Sequence, residues 1–216
     1  MSYVISPHLD DAVLSLGQMM SASPSTIITV FAGDPPEGID LSPYDDSCGF
    51  RSSKLAMEAR RQEDLRAAAI LQCNAIHWEF SDGQYGVMPD KREIAARLKK
   101  LMSTNRGAFF VPLGLVHPDH RTVATCALAA WQTLETPRDL FIYEELPYRV
   151  LQPAEAVNKL EDLRAMGVRM QEYPYPLEAG DLTRKRDAIA RYASQFPAGA
   201  VDPCLSVPER AWKVWK

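Results

Sequence analysis

The order of its apolar runs is what most narrows the folds open to this chain: short β-branched stretches alternate with helical periodicity along most of its length. "YVIS" leads into an apolar-periodic stretch from Ala12 to Met20, and "TIITVF" follows, which predicts a βαβ unit. Lys54 to Leu71, "KREIAARLKKLM" and Val123 to Leu134 read as further helices, separated by "AIHWEF", "GAFFVPL" and "LFIYEEL" as strands. In the less clearly patterned last third, "PAEAVNKLEDLRAM" and "TRKRDAIARYASQF" read as helices. From Gly33 to about Arg51 the chain is a polar loop punctuated by Pro35, Pro36, Gly38 and Pro43, and loops of that length usually cover a site or are disordered. Alternation of this kind predicts an α/β fold, a mostly parallel sheet with helices on both faces, formed by residues 1–216 as a single domain.

In such a sheet, ligands sit at the carboxyl ends of the strands. A dinucleotide site would show Gly-x-Gly-x-x-Gly at the first turn, and this chain has "SPHLDDAVLSLG" there instead. With 24 Lys and Arg against 28 Asp and Glu, the net charge is -4, and no basic stripe marks a nucleic acid or an anionic membrane as partner. Pro and Gly interrupt the apolar runs before they reach membrane-spanning length, and no secretion signal opens the chain, so the expected compartment is the cytoplasm. Cys48, Cys73, Cys126 and Cys204 lie far apart without a Cys-x-x-Cys pair, which predicts reduced thiols. Any metal must then be held by His and carboxylates. The expected partner is a small molecule or another protein, and a homo-oligomer is left open.

His8, Asp10 and Asp11 fall where the first strand turns into the first helix, so His8 and Asp11 can converge on one ion. The bland alternative is that an aspartate caps the helix and favours its dipole. A second cluster tips the balance: "GLVHPDHRTV" again follows an apolar strand and opens a helix, with Pro118 suited to its first turn. Three of the four histidines thus stand at strand exits facing one crevice. Zinc suits the set, because a catalytic zinc takes about three His or carboxylate ligands and leaves a position for water, and His8, Asp11 and His120 supply three. Asp10 is left as general base, and His117 as a donor to the developing oxyanion or an acid for the leaving amine. Asp119 either holds the His117 imidazole in one tautomer or points at first-turn amides.

"PHLDD" and "HPDH" together resemble the PIG-L/LmbE-like de-N-acetylase family, with its Pro-His-x-Asp-Asp and His-Pro-Asp-His motifs on a Rossmann-like fold. Where members usually carry Pro after the first His, this chain has Leu9. The resemblance implies zinc-dependent hydrolysis of an N-acetyl group from an N-acetylglucosamine-type aminosugar, Fe2+ or another divalent ion being the alternative metal. It implies His8, Asp11 and His120 as ligands, Asp10 as base, and His117 as electrostatic partner or acid. "RRQEDLRAAAIL", "FSDG" and "RYASQF" extend the likeness more weakly, and suggest Arg60 and Asp82 as contacts to sugar hydroxyls. Against these stand the solvated helix face and the ordinary Asp-Gly turn. "CGFRSS" resembles members acting on antibiotic or other secondary-metabolite scaffolds, with thiol-cofactor precursors as competing substrates, while "YEELPY" receives no role. The competing functions are a metal-dependent phosphoesterase, which wants more bridging carboxylates, and a non-catalytic sugar binder, which would be expected to have lost Asp10 or a ligand.

Overall fold

A computed structural model describes residues 1–175, 178–196 and 202–215. In chain order the elements are β1 (Ser2–Ser6), α1 (Asp11–Ala22), β2 (Ser25–Thr29), α2 (Pro43–Ser47), α3 (Ser53–Ile70), β3 (Asn74–His77), α4 (Lys91–Thr104), β4 (Ala108–Pro112), α5 (Pro118–Gln132) and β5 (Leu140–Tyr143). They continue with α6 (Leu146–Leu151), α7 (Pro153–Ala165), β6 (Arg169–Glu172), α8 (Ala179–Ile189), α9 (Asp202–Ser206) and β7 (Ala211–Trp215). Their strands form one sheet in the order β3-β2-β1-β4-β5-β7-β6. The first five run parallel, and β7 and β6 add antiparallel at the far edge, which the weak patterning of the last third did not reveal.

Successive side chains on a strand face opposite sides of its sheet, and β1 shows why its run is apolar without alternation. Tyr3 and Ile5 pack with Phe109 and Val111 under α4, α5 and α7, where Leu98, Trp131 and Leu160 cover them. Val4 packs on the other face with Ile27 and Phe110 under α1, α3 and α8, through Leu14, Ala67 and Ile189. Burial on both faces explains the continuous hydrophobic strands. From β1 the chain winds outward to β2 and β3, then returns to place β4 on the other side of β1. That reversal opens a crevice at the carboxyl ends of β1 and β4, where "PHLDD" and "HPDH" begin.

Two local differences bear on the site. "LFIYEEL" stops being a strand at Tyr143, because the Glu145 carboxylate turns inward to accept from the backbone N–H groups of Leu113, Gly114 and Leu115 at 3.1, 2.9 and 3.0 Å. The 33–51 loop contains the one-turn helix α2, opened by Ser42, whose Oγ accepts from the Asp45 amide at 3.1 Å. Among the described residues no helix is long and apolar enough to cross a membrane.

Candidate active site

Capping decides how the first turn of α1 is used. The amide of Ala12 donates to Ser6 Oγ at 3.0 Å, so a residue at the end of β1 satisfies the helix start. Asp10 stands at the N-cap position with φ -168° and ψ -30°, and its side chain makes no capping hydrogen bond. Asp10 is among the residues lining the cavity, and without that hydrogen bond the capping alternative for Asp10 is not what the chain adopts. Asp11 Oδ2 accepts from the His8 amide at 2.9 Å, which closes the turn and draws the two side chains together.

From the β4 side, α5 brings in His120, fully buried. Its Nε2 lies 3.1 Å from Asp11 Oδ2 and 3.3 Å from His8 Nδ1, and His8 Nδ1 lies 3.5 Å from Asp11 Oδ2. Ligands at about 2.0–2.2 Å from a tetrahedral ion stand about 3.3–3.6 Å apart, so these three atoms fit the corners of one face of a zinc-sized site. Wider groupings, His8 with His117 and His120 or His8 with Asp82 and Asp119, have donor atoms within 4.8 Å of one another. Their members are otherwise engaged: His117 Nδ1 accepts from the Asp119 amide at 3.2 Å, and both Asp82 oxygens accept from Gln84.

Each ring of the tight trio has a carboxylate on its other nitrogen. His120 Nδ1 is 3.2 Å from Glu145 Oε1, and His8 Nε2 is 3.1 Å from Asp119 Oδ2. Such partners fix the tautomer that leaves the opposite nitrogen free to bind. This corrects both expectations for Asp119: its carboxylate holds His8 and accepts from the Gly83 amide at 2.9 Å, not from first-turn amides, and lies 4.0 Å from His117 Nδ1. The His117 tautomer is set instead by the Asp119 backbone, because an amide only donates; Nδ1 accepts, and the proton sits on Nε2.

Charge follows burial. Burial pushes the Asp10 carboxyl up to about 8, helped by the negative Asp11 beside it and opposed by His8 and His120. Burial acts the same way on Asp11, but the His120 charge and the hydrogen bonds from His120 and His8 outweigh it and hold that carboxyl below the ordinary range. Burial works against protonation of His120, yet Asp11 lifts it to about 9. The proton shared by that pair is the charge a divalent cation would replace, since metal binding releases protons from its ligands. Burial, then the nearby His8 charge, lower the pKa of His117, which favours the neutral ring.

A cavity of about 430 Å³ opens beside these groups, lined among others by Asp10, Asp82, His117, Tyr44, Arg60 and Tyr148. Arg60 is not on a solvated helix face: it is 3% exposed, and its Nη1 pairs with the fully buried Asp45 at 2.8 Å. Asp82 does form the turn its Asp-Gly sequence suggests, accepting from the Gln84 amide at 2.9 Å, and also stands 3.8 Å from His8 Nε2. Sequence reasoning missed Glu145 and Ser6, whose partners are largely backbone groups that leave no side-chain pattern to read.

The chain matches the family model for GlcNAc-PI de-N-acetylase, PIG-L, over residues 3–131, which spans both motifs. It belongs to the PIG-L family. This PIG-L member also resembles the zinc-inhibited form of teicoplanin deacetylase Orf2, at 21% identity over 99% of this chain and 97% of that one, with a TM-score of 0.78. The A40926 pseudoaglycone deacetylase Dbv21 is similar at 24% identity, covering 99% and 96%, with a TM-score of 0.77. GalB, the 4-carboxy-2-hydroxymuconate hydratase from Pseudomonas putida KT2440, shares the fold at 16% identity over 95% and 83%, TM-score 0.66. One fold therefore carries more than one reaction. No curated protein matches the chain in sequence.

Proposed function

We propose that this PIG-L member hydrolyses the acetamide of an N-acetylglucosamine-type sugar carried on a larger small-molecule scaffold, using one divalent metal held by His8, Asp11 and His120. The observation that carries the reading is the trio of donor atoms 3.1, 3.3 and 3.5 Å apart, each imidazole backed by a carboxylate. Two imidazoles and one carboxylate suit zinc, and accept Fe2+ as well. When bound, such an ion acidifies water and polarises a carbonyl oxygen.

The protein's own groups then divide the proton chemistry. Asp10, with no capping bond and a place in the cavity lining, takes the proton of the attacking water as its oxygen bonds to the acetyl carbon. It acts in the ionised form, which a divalent cation beside it would favour over the protonated form that burial favours in the metal-free protein. His117, neutral and protonated on Nε2, donates a hydrogen bond to the carbonyl oxygen as that oxygen gains charge. The carbon–nitrogen bond breaks, the nitrogen takes the proton from Asp10, and acetate and a free amine leave. Asp82 offers acceptor lone pairs to a sugar hydroxyl at the cavity wall. Arg60 shapes that wall through Asp45. The whole chain acts as one catalytic domain on a small molecule, with neither nucleic acid nor membrane as partner. Four cysteines without a disulfide support a reducing, cytoplasmic setting. The relatives named for teicoplanin and A40926 pseudoaglycone support an antibiotic or other secondary-metabolite scaffold.

The test is release of free amine and acetate by metal-loaded protein from a panel of N-acetylglucosaminides, with phosphomonoesters and phosphodiesters assayed beside them. Stoichiometric amine and acetate from the glucosaminides is the expected result. Phosphate release with no amine would establish a phosphoesterase instead, and glycoside binding without turnover a sugar-binding protein.

A further inference from the structure

The helix read from the sequence through "RYASQF" stops at Ile189, and the residues beyond it are drawn sideways onto α3. Glu63 takes the Ser194 amide on Oε1 at 2.9 Å and the Ser194 hydroxyl on Oε2 at 2.7 Å. Asp64 beside it takes the Tyr192 hydroxyl on Oδ1 at 2.7 Å, and its Oδ2 stands 2.8 Å from His77 Nε2. Both carboxylates are buried. These bonds fix the segment 192–195 without any help from the side chain of Gln195.

That side chain lies against the first motif. Gln195 Nε2 donates at 3.2 Å to the carbonyl of Leu9, the residue between His8 and Asp10. A carbonyl only accepts, so the nitrogen of the side-chain amide must face Leu9 and its oxygen is left over. Among the described residues nothing donates to that Oε1, although Gln195 lines the cavity together with Asp10 and His117. The other glutamine in the lining has no such oxygen to offer, because Gln84 Oε1 accepts from Ser42 Oγ at 2.9 Å. An acetamide brings one donor of its own into this space, its N–H, and leaving that group unpaired is costly. Its nitrogen must stand beside Asp10, which protonates it as the carbon–nitrogen bond breaks, and Gln195 is tethered one residue before Asp10. A neutral acceptor also adds no negative charge next to Asp10 and Asp11.

We propose that Gln195 Oε1 accepts the N–H of the scissile acetamide, which orients the amide and sets a preference for N-acetyl over O-acetyl groups. The proposal rests on the deacetylase reading above and deepens it: an acetate ester puts an oxygen where the amide has its N–H, and two acceptors would then face each other. Glu63 and Asp64 are positioning residues, acting through Ser194 and Tyr192.

The experiment measures kcat/KM of metal-loaded wild type and Gln195→Met, which keeps the length of the side chain without its acceptor. The substrates are methyl N-acetylglucosaminide and the methyl glucoside acetylated on its 2-oxygen, and intrinsic reactivity cancels when each substrate's variant-to-wild-type ratio is taken. Gln195→Met should lower kcat/KM for the amide by about 10- to 100-fold, the range for a donor left unpaired, and for the ester by no more than about threefold. Metal content and melting should match wild type, since the segment is held through Ser194 and Tyr192. A fall for the ester as large as that for the amide, or no fall for the amide, would overturn the assignment. If Gln195→Met does not fold, Ser194→Ala replaces it: a shift of selectivity toward the ester of about 2- to 10-fold, the range for one lost hydrogen bond, supports the contact, and no shift overturns it. An ester that binds without turnover is read as a competitive inhibitor, whose inhibition constant Gln195→Met should change by no more than the same threefold, a larger change counting against the contact. If neither sugar is turned over, the deacetylase reading fails on its own, and calorimetry with the same two sugars decides. Tighter binding of the amide that Gln195→Met abolishes supports the contact, and equal binding overturns it.

Discussion

A histidine binds a metal through one nitrogen only if the other is told which proton state to hold, and here Asp119 gives that instruction to His8 and Glu145 to His120. His117 receives its instruction from a backbone amide, which leaves its proton facing away from Asp119. Residues so alike in the sequence therefore have separable roles. His120→Ala should lose both metal and turnover. His117→Ala should keep the metal and lose turnover, because it removes only a donor to the oxyanion. Asp10→Asn preserves shape and hydrogen-bonding capacity but removes the base, so metal content and melting should persist while kcat falls by about 10²- to 10⁴-fold. Metal analysis paired with turnover checks all three. Equal metal loss from His117→Ala and His120→Ala would mean the ligand set is wrong, and a near-native rate for Asp10→Asn would reject it as base.

The site is assembled by turns at the ends of elements, and one of them is the turn Gly83–Tyr85 after β3, whose Gly83 amide donates to Asp119. A Cβ on Gly83 would meet Asp119 Oδ1 at 2.8 Å and Oδ2 at 3.0 Å. Gly83→Ala should therefore push Asp119 off His8 with little effect on the sheet. Metal affinity should weaken by about 10- to 100-fold, with a stability loss near 1 kcal/mol, as measured by competition with a chromophoric chelator and by thermal melting. Unchanged affinity would show that Asp119 is not needed to orient His8. The motif turns were legible in the sequence because strand, His-Asp cluster and helix follow one another without interruption. The turn after β3 was not, since "FSDG" gives an Asp-Gly turn no sign of the carboxylate it faces 36 residues later. Nor was α2, whose five residues are too few for a periodicity and are fixed by Asp45 pairing with α3. Helix α1 bends at Leu16, and Glu209 far along the chain takes the Gln18 and Met19 amides there while pairing with buried Lys185, a long-range arrangement no local pattern encodes.

For the molecule as a whole, the parallel half of the sheet came directly from alternation, whereas the antiparallel edge required knowing that β7 pairs with β5 and β6 pairs with β7. That edge lies away from the crevice between β1 and β4, so the reading of the site did not depend on it. The claim that unites these scales is that one metal, held across the switch in strand order by His8 and Asp11 from one side and His120 from the other, is required for amide hydrolysis. The most direct measurement is acetate release from a phenyl N-acetylglucosaminide while chelator-stripped protein is titrated with Zn2+, or with Fe2+ under exclusion of air. The account predicts a rate near zero without metal and a linear rise that breaks at one equivalent per chain. Acetate release that is already complete in the stripped protein, or that rises only well past one equivalent, would contradict it.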